Sequence, residues 1–155
     1  MGRTSLMPRA MALAVAITVP VLLAAARARP ALVRAHVAER TVWDSVYTGE
    51  QAQRGQTAYN QTCARCHMPS LGGADQSPAL TGSAFLGNWN GLTLGALHER
   101  VRKTMPSDDP GTYGRQHIAD VMAYVLKVNG FPAGNAELPK ESGALEQIRV
   151  QVARP

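Results

Sequence analysis

Cysteine is scarce in this chain, which has two among 155 residues, Cys63 and Cys66. A structural zinc site wants four ligands, usually in paired clusters. His36, His98 and His117 show no H-x3-5-H spacing that would supply the second pair. A thioredoxin-like dithiol should follow a strand of a βαβ unit, whereas the residues before Cys63 read as helix. Large aromatics are equally thin, two Phe and two Trp, too few to build the core of such a domain unaided. A usable surplus of positive charge is also missing. The formal charge is +5, from 16 Lys plus Arg against 11 Asp plus Glu, but Arg3, Arg9, Arg27, Arg29 and Arg34 all precede His36, where no acidic residue occurs. Removing those five leaves 11 cations against 11 anions. A nucleic-acid partner, which needs a basic face, is therefore excluded.

What the chain does have is Cys63-Ala64-Arg65-Cys66-His67. This is C-x-x-C-H, the attachment pattern of a c-type haem. The two thiols can each take one vinyl group of a porphyrin, and His67 then lies under the iron as a ligand. Both cysteines are used there, so one covalent haem is expected. Export suits this chemistry, because a lone C-x-x-C persists outside the reducing cytosol. The start of the chain agrees. Arg3 and Arg9 precede an uncharged apolar run, Ala10 to Ala26, followed by small residues, the order of a secretory signal. Cleavage is expected near Ala26, Ala28 or Ala35, giving a periplasmic or otherwise exported protein. The alternative is a leader retained as a membrane anchor.

Length supports one domain. Residues 1–35 read as signal peptide and linker, 36–47 as linker, 48–130 as the domain and 131–155 as a polar tail that either docks or stays mobile. Thr48-Gly-Glu-Gln51 has the form of a capping box and predicts a helix from Thr48 into Cys63. Gly55 in its interior costs stability and so predicts a close helix crossing; the bland alternative is a tolerated surface glycine. Residues 68–91, with Pro69, Pro78 and several glycines, read as a loop. A loop that long makes sense if it wraps a large cofactor. A second helix is expected from Thr93 to Lys103, and a third from about Arg115 to Val128 on an apolar stripe of Ile118, Val121, Met122, Val125 and Leu126. Asn129-Gly130 and Pro132 stop it.

The sixth iron position decides between carrying electrons and binding small ligands. Met105 is the first candidate, since it follows a helix in an irregular segment that Pro106 stiffens. The bland alternative is a gap-filling core methionine. Met68 adjoins the proximal histidine and cannot reach the far face; Met122 falls on the apolar stripe. His98 is the substitute ligand, and His117 reads as a solvated surface residue. A ligating histidine needs an acceptor on its other ring nitrogen, and Pro78-Ala-Leu80-Thr-Gly82 can bring a backbone carbonyl there. Trp89 can hydrogen-bond a buried propionate through its indole N–H, or simply pack.

The residues just named resemble the class I cytochromes c. Gly55 and Tyr59 stand where that family carries a glycine and an aromatic before its haem motif. Pro78-Ala-Leu80-Thr-Gly82 is similar to its Pro-x-Leu-x-Gly, and Thr104-Met105-Pro106 to its methionine loop. Ala119 to Val125 resembles its last helix, with Tyr124 as the aromatic that meets the first. The resemblance covers roughly Gly49 to Gly130 and implies an all-α cytochrome c fold, three or four helices around one covalent haem c with His and Met ligands. The implied function is electron transfer, not catalysis. The wider phrasing, Val46 to Gly55 and Thr93 to Pro106, is similar to small bacterial cytochromes that accompany quinone-cofactor dehydrogenases. It implies redox partner proteins such as that dehydrogenase and a terminal oxidase. Two other readings remain: a haem subunit fixed to a dehydrogenase through the tail, and an open haem that binds a gas or peroxide.

Overall fold

The computed structural model describes residues 1–2 and 39–154. The expected leader and its cleavage sites lie outside the described residues. Among those described, no helix is long and apolar enough to cross a membrane. The order is β1 (Arg40–Thr41), α1 (Gly49–Thr62), α2 (Ala64–His67), α3 (Gly82–Trp89), α4 (Leu94–Thr104), α5 (Arg115–Val128), α6 (Ser142–Leu145) and β2 (Ile148–Arg149). The fold is all-α, with one short parallel pair, Arg40 beside Ile148 and Thr41 beside Arg149.

Helix α1 starts where the sequence places it. Thr48 is the N-cap, and its hydroxyl accepts from Gln51 N at 3.1 Å. The reciprocal half of the capping box does not form. The Gln51 side chain is fully buried and clasps the tail instead, donating to Leu138 O (3.0 Å) and accepting from Leu138 N (2.6 Å). Helices α1 and α5 meet at Gly55, where an added Cβ would overlap the Asp120 carbonyl. One turn on, Tyr59 packs on Tyr124 with ring centroids 5.5 Å apart. The apolar stripe of α5 is buried, and α5 runs from Arg115 to Val128 as expected.

Two expectations need correction. The loop read over residues 68–91 contains helix α3, which buries Phe85. Its apolar signal is short, Phe85, Leu86 and Trp89, and its N-cap Thr81 makes no side-chain bond, so local patterning gives little warning. The packed body also extends past 48–130. In the stretch read as linker, Val42, Val46 and Tyr47 are buried. Tyr47 donates to Phe131 O at 2.6 Å, and the Trp43 indole donates to Gln151 O at 2.8 Å. The tail docks, burying Leu138, Leu145, Ile148 and Val150.

His98 is fully buried where α4 meets α5 and α6. Its Nε2 faces Arg115 O and its Nδ1 faces Ser142 Oγ, each at 3.3 Å. The Ser142 hydroxyl donates onward to Glu99 at 2.6 Å. Hydrogen bonds from Arg102 and Ser142 hold the Glu99 carboxyl down to about 2. Burial lowers the pKa of His98, against the pull of the Arg115 carbonyl, and burial likewise lowers that of His117. Both rings thus bind fewer protons folded than unfolded just below the ordinary histidine value of about 6.5. Stability is then full above that value and is lost as pH falls through it toward the folded pKa values. Urea melts should show a lower midpoint at about pH 5.5 than at about pH 7.5, and His98→Gln should flatten the difference. Equal midpoints in the unmodified protein would remove both histidines as the cause.

Candidate haem site

The cysteine segment is built by a change of direction. Cys63 ends α1, donating its N–H to Tyr59 O at 2.8 Å, and the chain then makes the single turn α2. Met68 leaves α2 at φ 65° and ψ 152°, a backbone region that glycine favours. The strain is held from outside, by the Tyr59 hydroxyl donating to Met68 O at 2.7 Å and by Gly73 N donating to His67 O at 3.1 Å. His67 is thereby fixed as a buried residue. Its Nδ1 donates to Pro78 O at 2.8 Å. That bond selects the tautomer and leaves Nε2 as the coordinating nitrogen.

A cavity of about 440 Å³ opens beside this histidine. Cys63, Cys66, His67, Pro78, Trp89 and Met105 all line it. Residues far apart in sequence therefore line one cavity. Met105 reaches it from the C-cap of α4, half-buried and with an extended backbone. Leu97, Val101, Ile118, Val121 and Val125 make much of the lining apolar. Cys66 is exposed and Cys63 half-buried. Burial is the main influence on the Cys63 thiol and pushes its pKa up. Trp89 is half-buried against Phe85, with centroids 6.5 Å apart.

The histidines fall differently from expectation. His98 is absent from the cavity wall and bonds to Arg115 and Ser142 on another face of α4, so it is no substitute ligand. His117 is no solvated surface residue. It lines the cavity and stacks on Tyr113 at 4.6 Å. The Thr62 hydroxyl donates to Ala58 O (2.8 Å) and so accepts from His117 Nε2 (3.2 Å). Met122 is core, as its stripe implies, yet it also reaches the cavity wall. Sequence reasoning passed over Arg65 and Asp108 as well, which face each other at the cavity mouth.

These residues fit a covalently held haem. The apolar walls suit a flat hydrocarbon macrocycle, two thiols stand at the rim, and an oriented imidazole and a thioether share the space. Residues 50–125 match the family described as cytochrome c oxidase, cbb3-type, subunit III. No curated protein sequence gives a match. Among solved structures, a chain of the sulfane dehydrogenase SoxCD from Paracoccus pantotrophus is similar at a TM-score of 0.44 with 18% identity, covering 70% of this chain and 61% of that one. This chain thus spans less than two thirds of that chain's length.

Proposed function

We propose that residues 50–125, which match the family described as cytochrome c oxidase, cbb3-type, subunit III, form a c-type cytochrome domain holding one covalent haem c, and that the protein is a single-haem electron carrier of the cell envelope, ligated by His67 and Met105. The observation that carries this reading is the shared cavity, walled by Cys63, Cys66 and His67 on one segment and by Met105 on another. When bound, the haem supplies an iron that exchanges one electron between its ferric and ferrous states. The chain's own groups do the rest. Cys63 and Cys66 anchor the ring as thioethers. His67 presents Nε2 because Pro78 O holds Nδ1. Met105 offers a soft sulfur that favours the ferrous state and raises the potential. Leu97, Val101 and the α5 stripe exclude water.

Exposed Cys66 marks a rim that redox partners can reach through a brief, small contact. A quinone-cofactor dehydrogenase as donor and a terminal oxidase as acceptor fit that role, with the protein exported to the periplasm. A permanent dehydrogenase subunit docked through its tail is less well supported, because the tail's apolar side chains are buried within this chain. Oxidised and reduced visible spectra test the reading. A low-spin spectrum with a sulfur-to-iron band in the oxidised form is expected. A high-spin spectrum that shifts on adding carbon monoxide or peroxide would favour the open-site alternative and sink the carrier.

A further inference from the structure

Residues 105–114 run from the end of α4 to the start of α5 and carry Met105. The bonds within this loop are local. Asp109 N donates to Pro106 O at 3.1 Å, Gly111 N to Met105 O at 3.3 Å, and the Thr112 hydroxyl to Asp109 O at 2.7 Å. They shape the loop without tying it to the cysteine segment. Among the described residues, one polar contact does that. Arg65, between the two cysteines, brings Nη2 to 2.6 Å from both carboxylate oxygens of Asp108. Arg65 and Asp108 line the same cavity as Met105, so the pair bridges its mouth. Both side chains are more than half exposed, 56% and 61%.

We propose that Arg65 and Asp108 are positioning residues, whose ion pair holds the loop and therefore Met105 over the iron and sets how readily a small ligand takes the sixth place. The inference rests on Met105 ligation, as proposed above. An aspartate is ionised at neutral pH in any case, and the Arg65 guanidinium holds the Asp108 carboxyl lower still, so both partners of the latch are charged there. Its exposure makes it weak and sensitive to salt. Its effect belongs to opening of the loop, not to the stability of the whole body.

The test uses the haem-loaded full chain and titrates the oxidised protein with imidazole, following the visible spectrum at low and high ionic strength. Imidazole should bind wild type about two- to fivefold more tightly at high salt, the range an exposed ion pair supports. Asp108→Asn should show that tighter binding already at low salt and lose most of the salt dependence. The exchanged pair, Arg65→Asp with Asp108→Arg, should return toward wild type. If Asp108→Asn titrates like wild type at both salt levels, or the exchange binds imidazole as tightly as Asp108→Asn, the latch is refuted. Absence of the sulfur-to-iron band in wild type would instead remove Met105 as ligand, and the latch with it.

Discussion

Met105→Ala should yield a red, folded protein whose ferrous iron takes up carbon monoxide without first displacing a side chain. Haem attachment depends on Cys63 and Cys66, which lie on a different segment from Met105, so the substitution should leave it intact. What disappears is the thioether that this residue contributes to the shared cavity. On the proposed ligation, the bond from Met105 to the iron must break before a small ligand enters the wild-type site. Each 1.4 kcal/mol of that bond corresponds to tenfold in affinity, so a gain on the order of tenfold or more is expected. The potential should fall, because the lost sulfur favours the ferrous state. Carbon monoxide titration and a redox titration check both outcomes. If spectrum and potential stay at wild-type values, Met105 only packs, and the next sulfur to test is Met122, which is buried on α5 and reaches the same cavity.

A second large effect should follow from Gly55→Leu. Overpacking typically costs about 1–3 kcal/mol when neighbouring side chains can give way. Here the obstacle is the backbone carbonyl of Asp120, with Tyr124 Cβ only 3.1 Å from where the new Cβ would lie. Neither can rotate aside, so α1 and α5 must separate and loosen the Tyr59–Tyr124 contact. A loss at or above the upper end of that range, about 3 kcal/mol, is expected in a urea melt. The haem spectrum at neutral pH should change less than the melt, since Gly55 faces α5 away from the cavity wall. Wild-type stability in this variant would mean that the two helices do not rely on contact at Gly55.

Where a residue's role is set by neighbours close in sequence, the sequence revealed it. C-x-x-C-H carries its meaning within five residues, and α5 is marked by its own stripe and by Asn129-Gly130. Gly55 is a partial case, since its place in a helix interior pointed to a close partner without naming Asp120. Roles set by distant partners stayed hidden. Gln51 looked like half of a capping box, but its amide is spent on Leu138, 87 residues away. Arg65 looked like a variable residue between cysteines until Asp108, 43 residues on, was brought opposite it. The sequence reads His98 as the substitute ligand and His117 as a solvated surface residue. Only the third dimension sends one to a buried junction and the other to the cavity. Helix α3 was missed because its apolar residues are few and its glycines argued for loop.

The pairing of Arg40–Thr41 with Ile148–Arg149 closes residues 40–149 into a hoop. Trp43 reinforces the closure across 108 residues of sequence. A chain that emerges amino end first presents Cys63 and His67 long before Ile148 is available to meet Arg40. Contacts so distant in sequence form late, after the local helices. Once the hoop is shut, the two strands secure each other, and fraying at either must break the clasp shared with the other.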